Sequence, residues 1–271
     1  MADSLVAKLD PEAMVGEGGL RKAELALRLL LSKASSHPLS PELSSSSTRL
    51  LIQTAVLHPM PSLRTAATEV LGACVSEGEP SFLSCALTHR LPAALFRLLR
   101  EEDRSAPSKG FDAPSDPDLP VRRAAIKALS SLVLRSDEQT RSSVLSDSSS
   151  LSLLLLVCGT TDPEVREGAL SLTLAVSQLG EGTLAALVQA AEAEAAGTAK
   201  ALLAAACAPV GEEGGAARLA TLQLLSALRA AEALREEMVN AGAGEKLAEL
   251  KAQMEEPLPP EVTSLIELYT S

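Results

Sequence analysis

Four segments of the chain repeat one arrangement of apolar and polar positions. Aligned on a shared arginine, they read Leu63-Arg64-Thr65-Ala66-Ala67, Val121-Arg122-Arg123-Ala124-Ala125, Val165-Arg166-Glu167-Gly168-Ala169 and Ala217-Arg218-Leu219-Ala220-Thr221. In the second segment apolar residues continue at Ala128, Leu129, Leu132 and Val133, which carries on the i, i+3, i+4, i+7, i+8, i+11 spacing of one helix face. The first continues with Val70, Leu71 and Cys74, the third with Leu172 and Val176, the fourth with Leu224, Leu225 and Leu228. A weaker fifth copy starts at Leu20, where Glu24 and Arg28 fall on positions that the pattern assigns to the interior. Start signals precede the copies. Asp162 is placed to cap free N–H groups, Pro163 suits the first helical position and Glu164 suits the positive end of the dipole. Asp118 and Pro120 are expected to play the same parts before Val121.

Two further helical segments fit between successive copies. They are EPSFLSCALTH and LPAALFRLLREE, SDEQTRSSVLSD and SSLSLLLLVCG, EGTLAALVQAAEAEA and TAKALLAAACA, and AEALREEMVN and GEKLAELKAQM, with PEVTSLIELY closing the chain. Three helices per unit at a spacing of roughly 40–47 residues is the armadillo/HEAT pattern. One such unit cannot bury its apolar face alone, so stacking makes the core. The expected fold is therefore all-α, a right-handed superhelix of about four to five three-helix repeats. It would occupy residues 20–271, with a tail or short helix over 1–19 and loops over 32–47 and 103–120, where Ser, Pro and Asp concentrate. The alternative is an irregular all-helical bundle.

Composition narrows the function. Of the 271 residues 46% are hydrophobic but only 1% aromatic, which suits closely packed helices better than sheets. A net charge of −11, with no run of Lys or Arg, argues against nucleic acid. The longest apolar run, Leu151 to Cys158, is too short to span a bilayer, and the N-terminus lacks the pattern of a signal peptide. Cys74, Cys85, Cys158 and Cys207 lie in apolar helical stretches without metal-ligand spacing, which fits a reducing, cytoplasmic setting. His37, His58 and His89 are scattered. GEGTLA, at 180–185, matches a loose dinucleotide fingerprint but follows a helical segment where that motif needs a strand. The sequence thus predicts no enzyme, no metal and no cofactor, but a binding protein.

One family resemblance is carried by LRTAATEVLGACVSEGEPSFLSCALTHRLPAALFRLLREED, then VRRAAIKALSSLVLRSDEQTRSSVLSD, and by the closing LREEMVNAGAGEKLAELKAQMEEPLPPEVTSLIELYTS. Their order of features resembles the cytosolic armadillo-type nucleotide exchange factors of heat-shock protein 70. The resemblance implies a monomeric co-chaperone that binds the chaperone's ATPase domain and promotes ADP release. In armadillo stacks the third helices line the concave face, which points to Arg97, Arg100, Glu101, Lys200 and Lys246 as the expected partner surface. The other reading is a generic armadillo scaffold that holds an extended peptide or protein partner in its groove.

Overall fold

Helix-forming sequence and well-placed stops cut the chain into short helices. The computed structural model describes residues 1–100, 118–145, 148–208, 214–253 and 259–270. Among these there is no strand. The α-helices are α1 (Ala2–Val6), α2 (Gly16–Ala34), α3 (Ser45–Leu57), α4 (Pro61–Glu77), α5 (Pro80–Thr88), α6 (Leu91–Leu99), α7 (Leu119–Arg135), α8 (Glu138–Leu145), α9 (Ser148–Val157), α10 (Pro163–Ser177), α11 (Glu181–Ala193), α12 (Ala195–Ala206), α13 (Gly214–Ala227), α14 (Glu232–Asn240), α15 (Ala243–Gln253) and α16 (Pro260–Thr270). Short 3-10 turns occur at Ala7–Leu9 and Ser40–Glu42. The chain forms two compact units, Met1–Arg141 and Ser142–Ser271.

The repeated phrase is the first helix of each repeat. Its buried positions follow one rule: Leu63, Ala67, Val70, Leu71 and Cys74 on α4, and Val121, Ala125, Ala128, Leu129 and Leu132 on α7. On α10 they are Val165, Ala169, Leu172, Thr173 and Val176, and on α13 Ala217, Thr221, Leu224 and Leu225, with Leu228 just past its end. The fifth copy obeys the same spacing from Gly19, through Ala23, Ala26, Leu27 and Leu30. The register is therefore one residue earlier than the sequence suggested, and Glu24 and Arg28 leave the interior. Glycine is needed there because a Cβ on Gly19 would lie 2.6 Å from the Ala13 carbonyl oxygen.

In the first unit α2, α4 and α7 form a row, α3 packs on α4 and α6, and α5 lies against α3, α4 and α6. In the second, α10, α13 and α16 form the row, α12 packs on α9, α13 and α14, and α11 on α9 and α14. Small residues set the spacing. A Cβ on Gly72 would come 3.2 Å from the Ala128 Cβ, where α4 meets α7, and Ser76 Oγ lies 3.0 Å from Ser131 Oγ in the same seam. Where α9 meets α12, a Cβ on Gly159 would come 2.5 Å from the Ala201 Cα.

The shared arginine has a structural task. Arg166 Nη1 donates to the Thr160 carbonyl at 3.5 Å, and Arg218 Nη2 donates to the Ala208 carbonyl at 3.0 Å. Both carbonyls lie just beyond the preceding helix, where backbone acceptors lack partners and the dipole is negative. Arg64 reaches instead to Asp118, ahead of the next first helix.

Several expectations need correction. Asp162 caps α10, accepting from Val165 N at 2.9 Å, but Asp118 makes no cap bond and pairs with Arg64. The loop expected over 32–47 shrinks, because α2 runs to Ala34 and the serine run starts α3, with Ser44 Oγ accepting from Ser47 N at 3.2 Å. Residues 119–120 belong to α7, and 103–117 lie outside the described residues.

The α9–α12 contact gives a stability prediction. Gly159→Ala places a methyl against backbone and should cost about 1–3 kcal/mol. Gly182→Ala, in α11 with nothing within 4 Å of its Cβ, should be neutral or stabilise by up to about 1 kcal/mol. Urea titrations of both variants check the pair. Equal stabilities would remove the argument that a tight backbone approach sets this packing.

Candidate functional site

The third helices turn one side to the stack and the other to solvent. On α3 the buried side is Ser47, Thr48, Leu51, Ile52, Thr54 and Ala55, and the opposite side exposes Arg49, Gln53 and Leu57. Thr48 and Thr54 tolerate burial because each hydroxyl donates to a carbonyl one turn back, Ser44 O at 3.1 Å and Leu50 O at 2.9 Å. On α6 Leu91, Leu95, Phe96 and Leu99 are buried, while Ala93 and Arg97 are exposed, as is Arg100 at the helix end.

The turn from α5 to α6 joins these two helices. His89 Nε2 lies 2.8 Å from Ser45 Oγ, which fixes the turn beside the start of α3. The next residue, Arg90, is exposed and has φ 58°. It is the one non-glycine residue with positive φ among the described residues; Gly16, Gly78, Gly180 and Gly242 take the others. An L-residue there carries a penalty of roughly 1 kcal/mol that glycine would avoid.

Among the described residues none of Arg49, Arg90, Arg97 and Arg100 has an ion-pair partner. The helices α3, α5 and α6 contain no Asp or Glu. Carboxylates at the edges are engaged. Glu77 accepts from Leu39 N and Ser40 N, both at 2.7 Å, and Glu79 caps α5 at Phe82 N at 2.9 Å. The result is an arginine-lined helix face that the fold does not use.

The expected site residues divide. Arg97 and Arg100 share one exposed edge in the first unit. Glu101 lies outside the described residues; in sequence it is followed by Glu102 and Asp103. Lys200 on α12 and Lys246 on α15 are exposed in the second unit, where Lys246 Nζ donates to the Ala241 carbonyl at 3.1 Å and sits beside Glu245. Sequence reasoning missed Arg49 and Arg90. Arg49 was hidden because serines that start α3 read as loop. Arg90 had one signal, its place between the stop of α5 and Pro92, which favours a turn.

Other chemistry is thin. Among the described residues no group of His, Cys, Asp or Glu is arranged to hold a metal, and no helix is long and apolar enough to cross a membrane. Gly180 precedes α11, Gly182 lies in the first turn of α11, and the element before them is the helix α10, so the glycine pair does not follow a strand. His58, at the end of α3, has its pKa lowered by burial, and its Nδ1 accepts from Met60 N at 3.1 Å.

No protein-family model matches the sequence, and no curated protein matches it. Solved structures do. A computationally designed armadillo repeat protein for modular peptide recognition aligns over 99% of this chain and 100% of its own, with TM-score 0.65 and 14% identity. A designed armadillo repeat protein in complex with the peptide (KR)4 aligns over 99% of both chains, with TM-score 0.61 and 14% identity. SYS-1 aligns over 98% of this chain and 46% of its own, with TM-score 0.55 and 13% identity. The fold is thus the all-α armadillo repeat.

The cysteines allow a direct check of this packing. Cys74 and Cys158 are fully buried, and burial raises both thiols, Cys158 to about 12. Cys158 also lies 3.6 Å from Thr173 Oγ1. Contrary to the sequence reading, Cys207 is exposed at the end of α12, and Cys85 is half-buried. Thiolate is the reactive form, so the native protein near pH 8 should show one fast thiol, Cys207, and a slower one, Cys85. Cys74 and Cys158 should react only after unfolding. Peptide mapping after alkylation identifies them, and early labelling of Cys158 would contradict its placement.

Proposed function

We propose that the chain is a binding scaffold that holds a polypeptide partner on its exposed third helices and acts without chemical turnover. One observation carries this. The face of α3 and α6 presents Arg49, Gln53, Arg97 and Arg100, exposed and without an ion-pair partner among the described residues, while the opposite faces of both helices build the stack. Long charged side chains held on rigid helices suit recognition, because the scaffold limits the entropy lost on binding. That structural neighbours include one designed for peptide recognition and one in complex with a peptide supports the same reading.

The finer reading makes the partner the ATPase domain of heat-shock protein 70, with release of ADP as the outcome. Its support is the sequence resemblance across α4–α8 and the closing segment. Such a factor needs no catalytic group of its own. It shifts the domain toward an open state by binding that state better, and only the difference in affinity counts.

The two levels are tested in order. A peptide-display selection on the purified protein should enrich ligands whose binding falls in the double variant Arg97→Glu, Arg100→Glu. Reversal at a desolvated contact should cost about 2–5 kcal/mol, against far less at a rim. Failure to enrich any ligand, or ligands indifferent to the reversal, would remove this face as the site. Stopped-flow release of labelled ADP from the chaperone domain then decides the finer reading. Acceleration lost in the double variant would support it, and no acceleration at saturating protein would leave the scaffold reading alone.

A further inference from the structure

We infer that the face formed by α3, the α5–α6 turn and α6 selects an acidic, carboxylate-rich polypeptide segment. The inference rests on the scaffold reading and names the chemistry of its partner. Arg49, Arg90, Arg97 and Arg100 are all exposed in the first unit, and α3, α5 and α6 contribute no carboxylate to offset them. Guanidinium groups pair with carboxylates in a bidentate, planar geometry that lysine does not offer. The partner would meet four such groups along a short path.

The geometry sets the length of that segment. Arg90 precedes α6 and Arg100 follows it, and the helix between them covers about 13 Å at about 1.5 Å per residue. Four to five extended residues span that distance at about 3.3 Å each. The bond between His89 and Ser45 ties the Arg90 turn to α3, so Arg49 stands within the same region. Gln53 adds a donor and an acceptor on the exposed side of α3, and Leu57 an exposed apolar surface at its end.

Arg90 is the second line of support. The turn needs a left-handed residue, and at the other such positions among the described residues the chain uses glycine. Here it keeps an arginine at φ 58° and accepts the strain. A charged side chain that the fold neither buries nor pairs, held at a strained position, is the expected signature of a contact residue.

Long polyanions are a poorer match. The chain carries a net charge of −11, and exposed charges act over a Debye length of about 8 Å, so a nucleic acid extending past the arginines gains less than a short segment confined to the face. The sign of the face is also opposite to what a (KR)4 peptide, the ligand of one designed neighbour, would seek.

Fluorescence anisotropy of the full chain tests this with four probes of about eight residues each, long enough to cover the face: an alternating Glu-Ser peptide, its Gln-Ser counterpart, (KR)4 and a single-stranded oligonucleotide. Exposed ion pairs are individually worth a few-fold, so the acidic peptide should bind about tenfold or more tighter than the neutral one. Raising salt from ~50 to ~500 mM should weaken it strongly. The Arg97→Glu, Arg100→Glu variant, with an unchanged circular dichroism spectrum, should lose the preference. Arg90→Gly should raise the melting temperature yet weaken acidic-peptide binding. A Gln-Ser or (KR)4 peptide bound as well through the same face, a tighter oligonucleotide, or an acidic preference that survives the double reversal would overturn the inference and leave the scaffold reading standing. A protein that binds none of these probes and enriches no ligand from a display library would overturn both.

Discussion

The distance between the first helices of neighbouring repeats governs much of this molecule. Where α4 meets α7 the two backbones are separated by little more than Gly72, Ala128 and a pair of serine hydroxyls. Helices that approach this closely leave no room for rings between them, and the buried rings of Phe82 and Phe96 lie on α5 and α6 instead. Burial at this density is sensitive to single methyl groups. The wholly buried Ala125 and Ala128 are therefore structural choices as specific as any large side chain. A close approach of the same kind, here where the third helices α9 and α12 meet, occurs in the second unit at Gly159 and Ala201.

Short helices create a second problem, the number of exposed ends. Each end leaves carbonyl or N–H groups without intrahelical partners. The repeated arginine answers it from within the repeat itself. Its neighbour at the first stripe position is buried, so the arginine stem is half-buried and its head is directed at nearby loop acceptors, Thr160 O for Arg166 and Ala208 O for Arg218. That explains why arginine recurs beside the apolar stripe and why its recurrence is no sign of a binding site. The exposed arginines of the α3–α6 face, Arg49, Arg90, Arg97 and Arg100, lie outside the first helices.

Much of the fold was legible because one physical signal repeats. The stripe spacing on α4, α7, α10 and α13 and the segments between them mark all their helices in the sequence itself. What was not legible turned on local chemistry with two meanings. Serine favours both loops and helix N-caps, so the run before Arg49 read as loop until Ser44 was seen capping α3. Asp118 precedes a helix start, where a cap is the default, but a tertiary partner, Arg64, claims its carboxylate. Gly19 lies one residue before the apolar start of its copy, and a glycine carries no hydrophobic signal even when close backbone packing demands it. The candidate site was legible only in part for the same reason: Arg97 and Arg100 lie on a strongly patterned helix, whereas Arg49 and Arg90 depend on a cap and a turn.

Net charge and local charge point to different partners, and the structure shows how both can hold. The first unit contains 17 Lys and Arg against 17 Asp and Glu, whereas the second contains 7 against 18, so the whole excess of −11 belongs to residues 142–271. A bulk figure of −11 describes solubility and long-range repulsion of polyanions. It does not describe the α3–α6 face, whose four arginines stand in a unit of zero formal charge and have no carboxylate on their own helices. Among the described residues, acids beside these helices such as Asp3, Glu77 and Glu79 are held by backbone N–H groups, which lowers their capacity to neutralise a neighbour. Contact chemistry acts over a few ångströms and the overall field over a Debye length, so selection at the face follows the guanidinium groups, while the field limits how long an anionic partner can be.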